Sequence, residues 1–398
     1  MIHTLYLAMK ALHWYRGRAL TIVLCLALTL WLPITLRLVL NQFQSEISSR
    51  ADSTPLVIGA PGSRVDLTLH ALYFQSTPPA LTTMQEAEYI NASGLATAIP
   101  LHIGYETQGV DGVDGVPIVG TSPEYFEFRK ADVAAGRRFS MLGECVVGAE
   151  AADRLKLQPG DSILSAPKNA FNLAGDYPLK LNVVGILKRS HSADDQVVFT
   201  DIQTAWVIDG IGHGHQSLSS DSNSELLLES DDQNVTANAS VLPYTEITPD
   251  NIDSFHFHGD TADFPISAVI AVPKSDKERI LLQGRYVSVR KDAQCLKPPE
   301  VVQELMQLVF RVEQLVRVSS ALALSVTVIL IGLVLLLSLR LRADEMRTLF
   351  KLGASRSIIA GLLVAEILTM CLAGISIAAA GAVATRFVAT DWLRQFLF

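Results

Sequence analysis

The sequence lacks the phosphate-binding loop that an ATP-hydrolysing chain of the P-loop class requires. No Gly-x-x-x-x-Gly-Lys-Ser/Thr segment occurs in its 398 residues, and no glycine is followed by a lysine. A Gly-x-Ser-x-Gly elbow and a His-Glu-x-x-His helix are absent as well. We therefore expect the chain not to be an enzyme, and any ATP-driven work must draw on a partner.

Charge and cysteine are both scarce. Charged residues make up 18% of the chain, the formal net charge is −8, and no basic stretch typical of a nucleic-acid surface is present. Of the 4 cysteines, Cys25 and Cys371 lie in apolar runs, whereas Cys145 and Cys295 lie between them. A disulfide between Cys145 and Cys295 would need an oxidising compartment, and two separate buried thiols are the alternative.

Apolar residues are in excess, at 49% of the chain. They concentrate in residues 19–40, 318–339 and 358–385. Each run approaches or exceeds the roughly 20 residues with which a helix crosses a bilayer. The first run is longer than the apolar part of a signal peptide and has no small-x-small cleavage site, which favours an anchor. The sequence thus predicts an α-helical membrane protein with three spans.

The basic residues predict the orientation. Short basic segments favour the cytoplasmic side of a membrane. They lie before the first run (Lys10, Arg16 and Arg18) and between the second and third (Arg340, Arg342, Arg347, Lys351 and Arg356). We therefore expect residues 1–18 and 340–356 inside the cell, and residues 41–317 and 386–398 outside it.

The large outer segment carries mixed α/β signals. Strands are predicted at residues 181–187, 197–199 and 266–272, and short helices at 85–90 and 149–155. We expect a large mixed α/β extracytoplasmic domain, arranged in one or two lobes. The stretch 217–238, rich in Ser, Asp and Asn, predicts a flexible excursion or linker.

Apolar stripes continue from two of the predicted spans into the outer segment. They repeat at steps of three and four residues at Leu36, Leu40, Phe43 and Ile47, and at Val301, Leu305, Leu308, Val312 and Leu315. This spacing predicts stalk helices at about residues 41–50 and 299–317. The alternative is that each stripe only covers a core in the outer domain.

The basic segment after the second span predicts a short amphipathic helix. Gly353 is a natural helix stop, and Ser355 can cap the next helix. Leu349, Phe350 and Leu352 give the helix an apolar side at the membrane surface. We expect this side to face a cytoplasmic partner, and a basic turn that only fixes topology is the alternative.

In this context the chain resembles the MacB/FtsX-type permeases of the type VII, or mechanotransmission, class of ABC transporters. Inside the cell the resemblance rests on Glu345, Leu349, Gly353-Ala354, Arg356 and the later Glu366. Outside, it rests on the stretches Gly136–Phe139, Val146–Ala149, Leu155–Asp161 and Val183–Leu187. The family has four spans, whereas three are seen here, so either a span has been removed or the C-terminal helix lies along the outer interface.

The resemblance implies a dimer in the bacterial inner membrane, in contact with lipid, that works with a separate cytoplasmic ABC ATPase. The residues that would dock the ATPase are Arg342, Glu345, Leu349, Phe350, Gly353 and Arg356. One alternative is an FtsX-like signalling or scaffold protein that controls a periplasmic partner. Another is a membrane component that handles a metal such as zinc.

Two His-x-His elements in the outer segment suggest metal chemistry, with zinc as the candidate ion. They are His213 with His215, and His256 with His258. On an extended chain alternate residues share a face, so each pair could offer two imidazoles to one Zn²⁺ or Cu²⁺ ion. Asp253 and Asp260 could complete the coordination shell. The alternative is surface histidines in polar loops.

Glu366 is a carboxyl group inside the third apolar run, where a charge is costly without a partner. It lies about two helical turns from the predicted cytoplasmic end. We expect its side chain to extend toward Arg356. A role in proton relay is the alternative.

Overall fold

The computed structural model describes residues 2–74, 80–109, 112–167, 178–214, 227–231, 234–237 and 244–397. The chain divides into two compact units. We call Met1–Ser48 with Gln303–Phe396 the helical unit, and Ser49–Val302 with Leu397–Phe398 the mixed unit.

Eleven α-helices occur among the described residues: α1 Ile2–Trp14, α2 Arg16–Asp52, α3 Arg64–Tyr73, α4 Gln85–Ala92, α5 Glu124–Arg129, α6 Ala149–Leu155, α7 Ile202–Ile208, α8 Asp276–Ser288, α9 Pro298–Leu341, α10 Ala343–Lys351 and α11 Arg356–Leu397.

Sixteen β-strands occur in the same part of the chain: β1 Leu56–Gly59, β2 Thr82–Thr83, β3 Ala96–Thr107, β4 Pro117–Thr121, β5 Val133–Gly136, β6 Glu144–Val147, β7 Ser162–Pro167, β8 Lys180–Leu187, β9 Val198–Asp201, β10 Gly212–Gly214, β11 Leu227–Asp231, β12 Asn234–Ala237, β13 Phe255–Phe257, β14 Pro265–Ile266, β15 Ala268–Pro273 and β16 Gln294–Leu296.

Three helices in the described residues are long and apolar enough to cross a membrane, namely α2, α9 and α11. α2 shows the surface expected of such a helix, because Leu20, Leu24, Leu28 and Leu32 lie one turn apart and are 52–70% exposed. α2 and α9 continue unbroken through residues 41–50 and 299–317, where the sequence predicts stalks. The presence of three long apolar helices and of a mixed α/β unit agrees with the predicted fold class.

Small residues let two helices of the helical unit approach closely. A β-carbon added to Gly374 in α11 would lie 2.7 Å from the Leu26 side chain of α2, and one added to Gly381 would lie 3.0 Å from Trp31. Glycine at such positions brings helix backbones together and favours van der Waals packing, which drives helix association in lipid.

The mixed unit is built on one ten-stranded sheet in the order β16-β1-β15-β3-β4-β9-β6-β8-β5. β7 pairs with both β3 and β8, so the hydrogen-bonded path β3-β4-β9-β6-β8-β7 returns to β3 and forms a ring. The pairs β4–β9 and β6–β8 are parallel, and the other pairs of this sheet are antiparallel. The strands predicted at 181–187 and 197–199 correspond to β8 and β9.

Two apolar cores lie against this sheet. One includes Leu56, Trp206, Ile266 and Leu282 and receives residues from α4, α7 and α8. The other includes Leu181 and Val183 of β8, a strand whose residues alternate between buried and half-buried as a one-sided strand requires. We expected one or two lobes, and the structure has one compact unit with two cores on a single sheet.

The Gly136–Phe139 stretch, which contributes to the family resemblance, is fixed to the sheet by an ion pair and an aromatic contact. Arg137 donates to the Glu144 carboxylate, with Nη1 2.7 Å from Oε2. The same carboxylate accepts from the backbone N–H groups of Ser140 and Met141 at 2.9 and 3.2 Å. Phe139 packs on Phe126 with ring centroids 5.4 Å apart. These contacts hold the segment between β5 and β6 to the sheet.

The predicted linker at 217–238 is only partly described, and its described part is ordered as two strands. β11 and β12 pair as an antiparallel hairpin. The rest of the prediction, at residues 217–226, 232–233 and 238, lies outside the described residues. The described part of this stretch therefore contains a hairpin, and its role as a flexible excursion or linker stays a prediction.

Candidate functional site

The connection between α9 and α11 is a short helix with an exposed apolar surface. α10 begins after Arg342, whose carbonyl accepts from the Met346 N–H at 3.1 Å. Phe350 and Leu352 are 53% and 80% exposed. Lys351 between them is exposed as well, so apolar and basic groups share the end of the helix. Exposed apolar side chains of this kind are typical of surfaces that a partner or lipid covers.

Gly353 ends this helix because its backbone φ is +96°, a conformation that residues with a side chain rarely adopt. Its N–H donates to the Phe350 carbonyl at 3.0 Å, and the Leu352 N–H donates to the Thr348 carbonyl at 3.0 Å. The next helix begins at Arg356, and the Ser355 carbonyl accepts from the Ile358 N–H at 3.1 Å. The predicted stop at Gly353 is thus present in the backbone.

The six predicted docking residues differ in accessibility. Phe350, Gly353 and Arg356 are exposed. Arg342 is buried, so its guanidinium does not belong to the surface of α10. Glu345 and Leu349 lie within α10, and their side chains are outside the described part of the structure. Their binding to an ATPase stays a prediction.

A buried ionic cluster lies inside the helical unit. Glu366 of α11 is 2% exposed, and its two oxygens lie 3.1 and 3.2 Å from Nη1 of Arg342. Arg18 of α2 lies 3.4 Å from the same carboxylate. The expectation that Glu366 extends toward Arg356 is wrong, because Arg342, which lies between α9 and α10, and Arg18, in the first turn of α2, reach it, whereas Arg356 is exposed. A buried carboxylate with cationic partners avoids the cost of an isolated charge.

A second buried cluster lies in the mixed unit and holds the last turn of α2. Arg50 donates to Asp194 with Nη2 2.7 Å from Oδ1, and its Nε donates to the Leu72 carbonyl. Tyr125 donates to the same Asp194 oxygen at 2.6 Å. Burial alone raises the pKa of the Asp194 carboxyl, but the charge of Arg50 and its hydrogen bond outweigh burial and lower it.

Sequence reasoning missed the Arg50 cluster because its members are far apart in the chain. Arg50 is 75 residues from Tyr125 and 144 from Asp194. Arg129 adds bonds to Ser53 Oγ at 3.1 Å and to Thr54 Oγ1 at 2.9 Å. The one local signal was an arginine placed at the end of an apolar stripe, where a charge has to find a partner.

Three histidines meet on a short two-stranded sheet of the mixed unit. β10 and β13 pair antiparallel with His213 directly opposite His256. His258 follows two residues after His256, so the alternation of an extended chain places it on the same face. The ring centroids of His213 lie 4.9 Å from His256 and 5.1 Å from His258, and those of His256 and His258 lie 4.8 Å apart.

The opposite face of this small sheet packs into the core. Phe257 contacts Trp206, with centroids 6.4 Å apart, and Trp206 Nε1 donates to the Pro265 carbonyl at 2.8 Å. The phenylalanine rings lie over the glycines of β10: a β-carbon on Gly212 would lie 2.4 Å from Phe257, and one on Gly214 would lie 2.7 Å from Phe255. The Gly-His-Gly and Phe-His-Phe sequences therefore fix which face carries the imidazoles.

The structure brings together three of the four predicted metal ligands. The candidate ligand atoms of His213, His256 and His258 all lie within 4.8 Å of one another. His215 lies outside the described residues. Neither predicted acidic ligand joins this group, and Asp260 instead accepts from the Ala262 N–H at 3.1 Å and caps a short helical turn.

Comparison with known proteins finds a family match over more than half of the chain. The model of the family described as MacB-like periplasmic core domain matches residues 19–242 of the 398. No curated protein sequence matches the chain.

Among solved structures, the chain is similar to the extracellular domain of the ABC-type transporter YknZ from Gram-positive bacteria, at 14% identity and a TM-score of 0.34, over 61% of this chain and 99% of that one. It is also similar to the periplasmic region of MacB from Actinobacillus actinomycetemcomitans, at 12% identity and a TM-score of 0.35, over 65% and 97% of the two chains. A domain of a putative permease protein from Porphyromonas gingivalis matches at 11% identity and a TM-score of 0.26, over 61% and 86%.

Proposed function

Since the chain belongs to the family of MacB-like permeases of type VII ABC transporters, we propose that it is the membrane subunit of such a system and relays the motion of a separate ATPase to its mixed unit. The proposal places it in the bacterial inner membrane, with the N-terminus inside and the mixed unit outside. It assigns no catalytic step to the chain itself.

This proposal depends most on the position and the exposed surface of α10. This helix lies between two helices long enough to cross a membrane, and Phe350 and Leu352 expose apolar surface there beside Lys351. A turn between two spans is where a cytoplasmic subunit can reach the helices on both sides. In this proposal α10 is the docking element, and its apolar side chains fill a groove of the ATPase.

The proposed relay uses the long helices. α2 runs without interruption from Arg16 to Asp52, and its last turn is held by Arg50, Arg129 and their buried partners. A continuous helix resists bending more than a loop does, so movement at one end is passed to the other. The Arg18–Glu366–Arg342 cluster joins α2 and α11 to the residue that follows α9 and would make the three helices move together.

The proposal also includes a second copy of the chain. Many apolar side chains of α2, α9 and α11 are exposed, including Leu28, Leu322 and Leu333. Lipid and a second copy would share this surface, because van der Waals packing drives the association of helices in lipid. We expect the purified chain to run as a dimer, which a mass measurement in detergent tests.

The docking element can be tested by photocrosslinking in living cells. A photoreactive amino acid at position 350 should form a crosslink to an ABC ATPase, identified by mass spectrometry. Val287 of α8, 82% exposed in the mixed unit, is the matched control and should give no such crosslink. An ATPase captured from position 287, or lipid alone captured from position 350, would count against α10 as the docking element.

A further inference from the structure

We propose that His213, His256 and His258 bind one first-row transition metal ion, Zn²⁺ or Cu²⁺, on the surface of the mixed unit. Neutral imidazole is a ligand that both ions favour. The group contains three imidazoles and no carboxylate among the described residues, which disfavours Ca²⁺ or Mg²⁺, since those ions take oxygen ligands.

The distances permit one ion to contact all three rings after small side-chain rotations. The ligand atoms lie within 4.8 Å of one another. Three nitrogens at about 2.0–2.1 Å from a tetrahedral zinc ion lie roughly 3.4 Å apart, so each ring has to move by about 1 Å or less. His258 is exposed and His213 and His256 are half-buried, so their rings have room to make this adjustment.

A backbone carbonyl determines which ring nitrogen of His256 can bind the metal. Nδ1 lies 3.0 Å from the Ser254 carbonyl, and because a carbonyl only accepts, Nδ1 carries the proton. In the neutral ring the lone pair is then on Nε2, the nitrogen that binds the metal. A carbonyl holding the other nitrogen is the usual arrangement of a metal-bound histidine, because it fixes the tautomer and the ring orientation.

The scaffold holds the ligands before any ion arrives. His213 and His256 are paired residues of two hydrogen-bonded strands, and Phe255 and Phe257 anchor the reverse face in the core. Ligands on a preformed backbone need only small side-chain rotations, so they lose little entropy on binding. Three protein ligands leave at least one position open to water, as in sites that exchange their ion or bind a further ligand there.

The test is metal titration of the purified full-length chain in detergent after removal of metal by chelation. Zn²⁺ affinity is measured by competition with a chromophoric chelator, and Co²⁺ serves as a spectroscopic substitute whose visible absorption reports tetrahedral nitrogen ligation. We expect one strongly bound ion per chain. His213→Ala, His256→Ala and His258→Ala should each weaken binding by at least about tenfold, since losses of that size follow even from changes next to the ligands.

His191→Asn is the matched control. His191 is an exposed histidine of the same unit with φ +57°, a conformation that asparagine tolerates, so this variant removes one imidazole without strain and should bind like the parent chain. Melting of each variant with chelator present checks that the fold is unchanged. Retained Zn²⁺ affinity in the triple-alanine variant, or a cobalt spectrum without tetrahedral bands in the parent chain, would overturn the proposal.

Discussion

Arg50 and Asp194 form a two-pronged ion pair inside the mixed unit. Nη2 lies 2.7 Å from Oδ1, Nη1 lies 3.1 Å from Oδ2, and the two side chains are 9% and 8% exposed. The Tyr125 hydroxyl bonds to both partners, so the pair is part of a closed network. The pair also attaches the end of α2 to the sheet that carries the rest of the unit.

Replacing Arg50 by methionine should destabilise the mixed unit strongly. The change leaves Asp194 charged and buried, which costs about 3–5 kcal/mol in comparable pairs. Hydrogen exchange of peptides from this unit, measured with increasing denaturant on the full chain, gives the free energy of unfolding. Arg189→Ala is the control, because its pair with Asp153 is exposed and should contribute about 1 kcal/mol or less.

The double variant Arg50→Met with Asp194→Leu separates the pair from its surroundings. It removes both charges, so it should be more stable than Arg50→Met alone. If Arg50→Met equals the parent chain in stability, the pair does not hold the end of α2.

The same pair predicts acid sensitivity. The pKa of Asp194 is lower in the folded chain than its ordinary value of 3.8, so its contribution to stability is complete above that value and is lost as the pH falls through the lower folded pKa. The parent chain and Asp194→Asn should therefore differ by a constant amount at neutral pH and converge below about pH 4. Melting temperatures of both chains from neutral pH down to about pH 3 test this. A difference unchanged down to pH 3 would contradict it.

Glu366 should be essential for a stable helical unit. Glu366→Ala leaves the buried Arg342 and the half-buried Arg18 without their carboxylate, and a broken buried pair typically costs about 3–5 kcal/mol. We expect the variant to have a lower melting temperature in detergent than the parent chain. Size-exclusion chromatography of heated samples measures this temperature. Arg347→Ala is the control, since its pair with Asp344 is exposed and should be nearly silent. Equal melting of Glu366→Ala and the parent chain would contradict this assignment.

Local patterns predicted the parts of this fold that local physics determines. The apolar runs gave α2, α9 and α11, the strand signal at 181–187 gave β8, and Gly353 gave the end of α10. The partners of Glu366 were missed, because the sequence offers several arginines next to the apolar runs and only helix packing selects Arg342 and Arg18.

The histidine site was predicted only in part, because local patterns do not show which distant residues pair. Each His-x-His spacing showed that two imidazoles could share a face. That His213 stands opposite His256 depends on strand pairing between residues 43 positions apart, and no local signal encodes such a register. Of the two expected acidic ligands, Asp260 does not join the histidines because its carboxylate caps a helical turn.

The exposed end of α10 gives a prediction about coupling. Phe350→Asp should lower ATP hydrolysis by the reconstituted system several-fold, because it puts a charge into an apolar contact. Gly353→Val should act similarly, since a β-branched residue resists φ +96°, whereas Gly353→Asn should retain more activity. Val287→Asp, on the exposed face of α8, is the control. If Phe350→Asp leaves ATP hydrolysis unchanged, α10 is not the docking element.

Cys145 and Cys295 should remain separate thiols even in an oxidising compartment. Both are free cysteines, on β6 and β16, and five strands lie between these two strands in the sheet. Neighbouring strands are about 4.8 Å apart, whereas a disulfide requires α-carbons within about 7 Å. Burial raises the pKa of Cys145 and raises that of Cys295 to about 12, so neither forms the reactive thiolate near neutral pH.

The variant Cys25→Ser with Cys371→Ser isolates these two thiols for alkylation with a mass-tagged maleimide. We expect slow labelling of the folded chain and two tags per chain after denaturation without reductant. Slow labelling alone would fit a disulfide as well, so the denatured sample decides between the two. Tags that appear only after reduction would show a bond between Cys145 and Cys295, which this sheet order does not allow without breaking strand pairs.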